Sequence, residues 1–325
     1  MEQLPVVDWT FAARAGRALV PPGPELSERE IASLVADLRD AAGRATGHVA
    51  EVTRLRPPAP AEVLIVDRGS WIAALAQSAD SLLTGAAATQ AGLPSGWATV
   101  KARALGAQAA PVFAAIATRV LGQFDPFVSP ARLLLVAPNI TAVERELGAR
   151  PADFRLWVCL HEETHRFQFG HAPWLREYVL GMVRELLDGD ELRFGWPKDR
   201  SASGVRALIG SPAQVAAFDQ VTAVMSLMEG HADVMMDRVG PTVVPTYARI
   251  RDAFEAKRDR QGWTSWLWRL LGMDLKRAQY RDGAAFCRRV IDASDVATLN
   301  RAFEAPGLLP TLGEIHDPQQ WLARI

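Results

Sequence analysis

Two cysteines in 325 residues are too few for a disulfide scaffold, and Cys159 and Cys287 form no CxxC pair for a cysteine-rich zinc module. Positive charge is not in surplus either. With 36 Lys and Arg against 37 Asp and Glu, the net charge of −1 leaves nothing to neutralise a phosphate backbone, which argues against a nucleic-acid partner. Long apolar runs are missing, and none approaches the roughly 20 residues a membrane-spanning helix needs. The opening residues carry Glu2 and Asp8 and lack a basic start followed by an apolar stretch, so no secretory leader is expected. What is present fits a packed globule: 49% hydrophobic and 22% charged residues, with a mean hydropathy of +0.01. A cytoplasmic protein is the expectation, with its oligomeric state open.

Helical periodicity dominates the chain. Pro21-Pro22-Gly23-Pro24 ends a short first helix, and Ser27 with Glu30 forms a capping box. Ile31, Leu34, Val35, Leu38, Ala42, Ala45, Val49 and Val52 then mark a long amphipathic helix closed by Pro57 and Pro58. Val63–Val66 and Arg132–Val136 read as short strands, the second ended by Ala137-Pro138-Asn139. Residues 99–122 read as helix, 84–96 as a flexible loop and 189–210 as irregular. Pro151 to Gly170 reads as one helix, a link through Ala172 leads to another over 173–188, and Ser211-Pro212 opens a helix that stops at Gly240-Pro241. The C-terminal third is helical, with Trp263, Trp266 and Trp268 read as packing residues. The fold class expected is mainly α, α+β at most, with one small sheet.

One pentapeptide carries chemistry. His161-Glu162-Glu163-Thr164-His165 is an HExxH sequence set behind the apolar run Phe154–Leu160. Imidazoles four positions apart share one helix face and can hold a single zinc ion. Glu162, beside the first, is placed to take a proton from a water on that ion. A catalytic zinc takes three protein ligands, so a third must come from elsewhere. Glu177, Glu185 and Glu229 are the candidates.

A short link forces the helix after residue 172 to return antiparallel. The histidines lie about 9 Å from the end of their helix, whereas Glu185 lies roughly 18 Å along the returning one. Glu177 has the right depth but groups with Gly181, Arg184 and Asp188, opposite the stripe Leu175, Val179, Met182, Val183 and Leu186. Glu229 instead shares its face with Val215, Phe218, Thr222, Met225, Ala232 and Met236, and a carboxylate there must pair with a cation, either a metal or an arginine. Asp233, one turn on, could accept the far N–H of a ligand histidine. His231, about 200° round from its neighbour Glu229, reads as a buried, hydrogen-bonded histidine, and His171 as a solvated loop residue.

The segments LWVCLHEETHRFQF (156–169) and SLMEGHADVMMD (226–237) resemble the zincin-like zinc-dependent metalloprotease, or hydrolase, family, some members of which are labelled as associated with biosynthesis of a deazaflavin coenzyme. Further matching blocks are Val66-Asp67-Arg68 with Trp71, FDPF (124–127), LLLVAPNI (133–140), KRAQYRDG (276–283) and LPTLGEIHDPQQW (309–321). The resemblance implies one zincin-like metallohydrolase domain over 1–325, with a helical part to about 60, a zinc-binding core at about 125–240 and a helical part over 241–325. It also implies a zinc site of the HExxH-plus-distant-Glu type, with ligands His161, His165 and Glu229 and base Glu162. The Glu-x-x-x-Asp spacing of Glu229 and Asp233 looks gluzincin-like.

The chemistry expected is hydrolysis of a peptide or small amide by zinc-activated water. Tyr280 is the candidate oxyanion donor, with Lys276 one turn before it. The alternatives are a zinc that only braces helices and a di-iron centre. The second requires two Glu-x-x-His pairs, and Ala232 stands where the second histidine would be.

Overall fold

A computed structural model of the chain describes residues 7–86, 96–187, 212–261 and 278–325. Helix follows helix, as the periodicity requires, and among the described residues one three-stranded sheet interrupts them. The order is α1 (Trp9–Leu19), α2 (Glu28–Thr53), β1 (Glu62–Val66), α3 (Arg68–Ala86), α4 (Trp97–Ala117), β2 (Gly122–Asp125) and β3 (Arg132–Val136). Then come α5 (Ala137–Glu146), α6 (Pro151–His171), α7 (Trp174–Leu187), α8 (Pro212–Val243), α9 (Tyr247–Gln261) and α10 (Ala278–Ala293), followed by short helical turns to the C-terminus. The Ser27–Glu30 capping box is formed, with Ser27 N–H donating to Glu30 at 2.8 Å. Among the described residues no helix is long and apolar enough to cross a membrane.

The sheet order is β1-β3-β2, with β3 parallel to β1 and antiparallel to β2. The central strand explains the apolar run Leu133–Val136, each residue of which is buried, because a strand flanked on both sides and packed on both faces has no solvated side. Paired on both sides, β3 has no open edge to offer an extended peptide. One boundary nearby differs. The helix expected over 99–122 ends at Ala117, and Gly122–Asp125 is strand, too short to show an alternating pattern. Ala137-Pro138-Asn139 ends β3 as expected and also opens α5, where a proline in the first helical turn lacks only an N–H that would be unpaired anyway. The Asn139 side chain ties this start down, donating to Ala117 O at 2.8 Å and Val120 O at 2.6 Å and accepting from Arg68 Nε at 2.7 Å.

The α8 helix runs three residues past Gly240, through Pro241 to Val243. The α6 helix continues to His171, so the link to α7 is Ala172-Pro173. Residues 87–95 of the expected loop, the segment 189–210 and the three tryptophans lie outside the described residues.

Two compact units divide the chain: residues 1–47, 60–163 and 241–257 form one, and 48–59, 164–240 and 258–325 the other. The first holds the sheet with α1, α3, α4 and α5, around fully buried Trp71, Ile72, Leu134 and Leu135. The second packs α8, α10 and the C-terminal turns around Leu227, Met235, Phe286 and Trp321, the last two rings meeting edge to face at 5.4 Å. Here α8 and α10 touch backbone to backbone. A Cβ on Gly230 would lie 2.2 Å from the Gly283 carbonyl carbon, and one on Gly283 would lie 2.1 Å from Ser226 O.

That crossing admits no methyl group on either side. Gly230→Ala and Gly283→Ala are each expected to lower stability by roughly 1–3 kcal/mol through overpacking. Urea unfolding checks this, and a midpoint unchanged in both variants would mean that the helices separate freely.

Candidate metal centre

The α6 helix is buried along most of its length, with Phe154, Leu156, Val158, Cys159, Leu160 and Phe167 in the core. Polar residues on such a helix need partners inside the protein. Glu163, only 3% exposed, accepts from Thr46 Oγ1 at 2.7 Å. Arg166 donates to Ala59 O at 2.7 Å. Glu162, 8% exposed, accepts the Phe124 N–H of strand β2 on Oε2 at 3.2 Å. Strand β2 comes this close because residue 122 is glycine: a Cβ there would sit 2.5 Å from Glu162 Cγ and 2.9 Å from its Oε1. Adjacent glutamates thus have separate surroundings, Glu163 against α2 and Glu162 against β2.

His161 and His165 stand one turn apart on α6 and are partly exposed, unlike their neighbours. Ligand atoms of His161, His165 and Glu229 lie within 4.8 Å of one another. His165 Nε2 and Glu229 Oε1 are 3.6 Å apart. That separation is long for a hydrogen bond. It is close to the ~3.4 Å expected between two donors that share a tetrahedral zinc at bond lengths of about 2.0–2.1 Å. Two neutral imidazoles and one carboxylate are also a donor set zinc accepts, so the residues fit the ion.

The far nitrogen of His165 is engaged as well. Its Nδ1 is 2.9 Å from Gln168 Oε1, one turn further along α6. The amide nitrogen of Gln168 lies 2.9 Å from Met228 O and 3.0 Å from His231 Nδ1. Gln168 and His231 are both fully buried. Burial lowers the His231 pKa to about 3, against an opposing interaction with the Asn300 side chain, so the ring is neutral. The sequence reading gave His231 a buried hydrogen-bonding role but passed over Gln168. The i, i+3 spacing from His165 was the available signal.

Asp233 sits one turn after Glu229 on α8, partly exposed, and it is Gln168 rather than Asp233 that bonds the far nitrogen of His165. Tyr280 falls in the first turn of α10, three residues before the Gly283 contact with α8; Lys276 lies outside the described residues. Glu177 and Glu185 are exposed on α7. His171 is not a loop residue: it ends α6 and accepts the Arg56 N–H on Nδ1 at 3.0 Å, and burial lowers its pKa. Burial pushes both cysteine thiols up, which keeps them inert.

A mainly helical chain with a small sheet, two histidines one turn apart on a buried helix and a carboxylate from a second helix together define a zincin-like protein. Residues 7–322 match the family described as zincin-like metallopeptidase, and the chain belongs to that family. Among solved structures, it is similar to a candidate hydrolase with a novel fold from Chloroflexus aurantiacus, at 28% identity and a TM-score of 0.72, with 98% of each chain covered. No curated protein matches the chain.

Gly122→Ala is expected to drive the Glu162 carboxylate from its place against β2 and break the Phe124 bond. Hydrogen exchange at the Phe124 amide should then accelerate. Unchanged protection would mean that the strand shifts and the carboxylate stays.

Proposed function

We propose that the chain is a zinc-dependent hydrolase, a metallopeptidase that cleaves the amide bond of a peptide or small amide. The observation that carries this reading is the convergence of His161, His165 and Glu229 ligand atoms within 4.8 Å, with Glu162 next to His161 on the same helix. His161 and His165 would hold zinc by ring nitrogens and Glu229 by a carboxylate oxygen. When bound, the ion supplies Lewis-acid activation of water and of the substrate carbonyl.

The rest belongs to the chain's own side chains. Glu162 accepts a proton from the attacking water and delivers it to the leaving nitrogen, so that the C–N bond breaks as a C–O bond forms. The Phe124 N–H holds this carboxylate by Oε2, which spares it a search over rotamers. Tyr280 is the proposed donor to the oxygen that gains charge. Its support is positional: α10 is seated on α8 at Gly230, the residue after Glu229. Asp233, one turn after Glu229 on α8, is the proposed outer partner of a ligand ring.

A brace-only zinc would take four protein donors, whereas the cluster among the described residues holds three. A fourth position left for water favours catalysis, as does Glu162, which a brace does not use.

Glu162→Gln is expected to retain stoichiometric zinc and lose about 10²–10⁴-fold in kcat on a peptide substrate found by library screening. Full turnover by that variant removes Glu162 from the mechanism. Glu229→Ala should lose the metal itself, read by elemental analysis of the purified protein. Tyr280→Phe should keep zinc and lower kcat by roughly 10²–10³-fold with little change in KM, and an unaltered kcat excludes it as the oxyanion donor.

A further inference from the structure

Three buried polar side chains, Gln168, His231 and Asn300, lie between the proposed ligand His165 and the backbone at Thr53, and their donors and acceptors fit together in one way only. The chain is fixed at both ends by carbonyl oxygens, which can only accept. Met228 O lies 2.9 Å from the Gln168 amide, so the NH₂ group faces it and Oε1 must face His165. The second amide hydrogen then points at His231 Nδ1, 3.0 Å away, which must carry a lone pair. A neutral His231 therefore has its proton on Nε2. At the far end, Thr53 O lies 2.8 Å from Asn300 Nδ2, so Asn300 Oδ1 is an acceptor. His231 Nε2 and Asn300 Oδ1 are buried without a hydrogen-bond partner, but as donor and acceptor they are complementary, and the Asn300 side chain opposes the lowering of the His231 pKa. Gln168 and His231 are fully buried and Asn300 is 9% exposed, so water does not readily replace a missing partner.

We infer that Gln168 and His231 are positioning residues that impose one tautomer on His165, with the proton on Nδ1 and the lone pair of Nε2 turned towards Glu229. The reverse tautomer would set the Nδ1 lone pair against Gln168 Oε1 at 2.9 Å, two acceptors face to face. Rotating the amide to relieve that would set its oxygen against Met228 O. Flipping His231 would set an N–H against the amide NH₂. Each escape creates a second conflict in the interior, so the pattern is held as a unit. The inference deepens the zinc reading and rests on it for its purpose, since a ring so fixed presents Nε2 to a cation without prior rearrangement.

The test reads the tautomers directly. Long-range ¹H–¹⁵N correlation of the full-length protein at mildly alkaline pH should show His165 protonated on Nδ1 and His231 on Nε2. A proton on His165 Nε2, or on His231 Nδ1, overturns the inference. Zinc affinity, measured by competition with a chromophoric chelator, should fall about 10–100-fold in Gln168→Ala. His231→Leu should fall in the same direction, while His231→Asn, which keeps an acceptor near the Nδ1 position, should bind like the wild type. Wild-type affinity in both Gln168→Ala and His231→Leu also overturns it. If Gln168→Ala does not fold, the wild-type tautomers and the His231 pair still decide. A wild-type protein that binds no zinc sinks the proposed function instead, and the tautomers then decide this inference alone.

Discussion

The structure turns on a helix that is buried and yet polar. From Glu162 to Gln168, α6 carries Glu162, Glu163, Thr164, Arg166 and Gln168, none more than 8% exposed. An unpaired charge or amide there would cost several kcal/mol, a large share of the stability of an ordinary domain. The surrounding elements are arranged to prevent that. Strand β2 brings the Phe124 N–H to Glu162, α2 brings Thr46 to Glu163, the segment after α2 brings Ala59 O to Arg166, and α8 brings Met228 O to Gln168. The HExxH helix is therefore the place where local sequence makes the strongest demands on the rest of the chain.

Glycine serves that demand at two points, by letting backbone come where a side chain would stand. Gly122 admits the Glu162 carboxylate to the strand, and Gly230 with Gly283 lets α10 lie on α8 beside Glu229. The two contacts differ in what they protect. The first sets the direction of one side chain; the second sets the spacing of two helices, and so the position of everything carried on their facing turns.

Much of this was legible in the sequence. The HExxH spacing, the apolar run before it and the setting of Glu229 in an apolar stripe identify three residues whose ligand atoms the structure brings together. The reason is that metal chemistry leaves a strong local trace: charged residues where packing alone would place apolar ones. Elements with weaker traces were read wrongly. Strand β2 has four residues and includes a glycine, so neither alternation nor β propensity marks it, and its pairing depends on β3. Ala137-Pro138-Asn139 was legible as the end of β3 but not as the start of α5, which the three partners of Asn139 tie down. Gln168 was overlooked because an amide is polar without being charged, and nothing local says that its partners are a carbonyl and an imidazole from α8.

The choice of an amide as partner to His165 has an electrostatic consequence. A carboxylate in that place would fix the ring equally well, but it would add negative charge near the cation and raise the basicity of the imidazole. With two neutral imidazoles and one carboxylate, a divalent ion keeps a net charge of about +1, which is what draws electrons from a water or carbonyl oxygen. A neutral His231 behind the amide continues the same policy, since its buried ring brings orientation and no charge. Geometry is thus imposed on the proposed ligand by groups that leave the field of the ion almost untouched. Glu162, the proposed base, is held by a backbone N–H of β2. In the proposed mechanism the ligand ring and the base are thus oriented by different groups, His165 by the Gln168 amide and Glu162 by the Phe124 N–H.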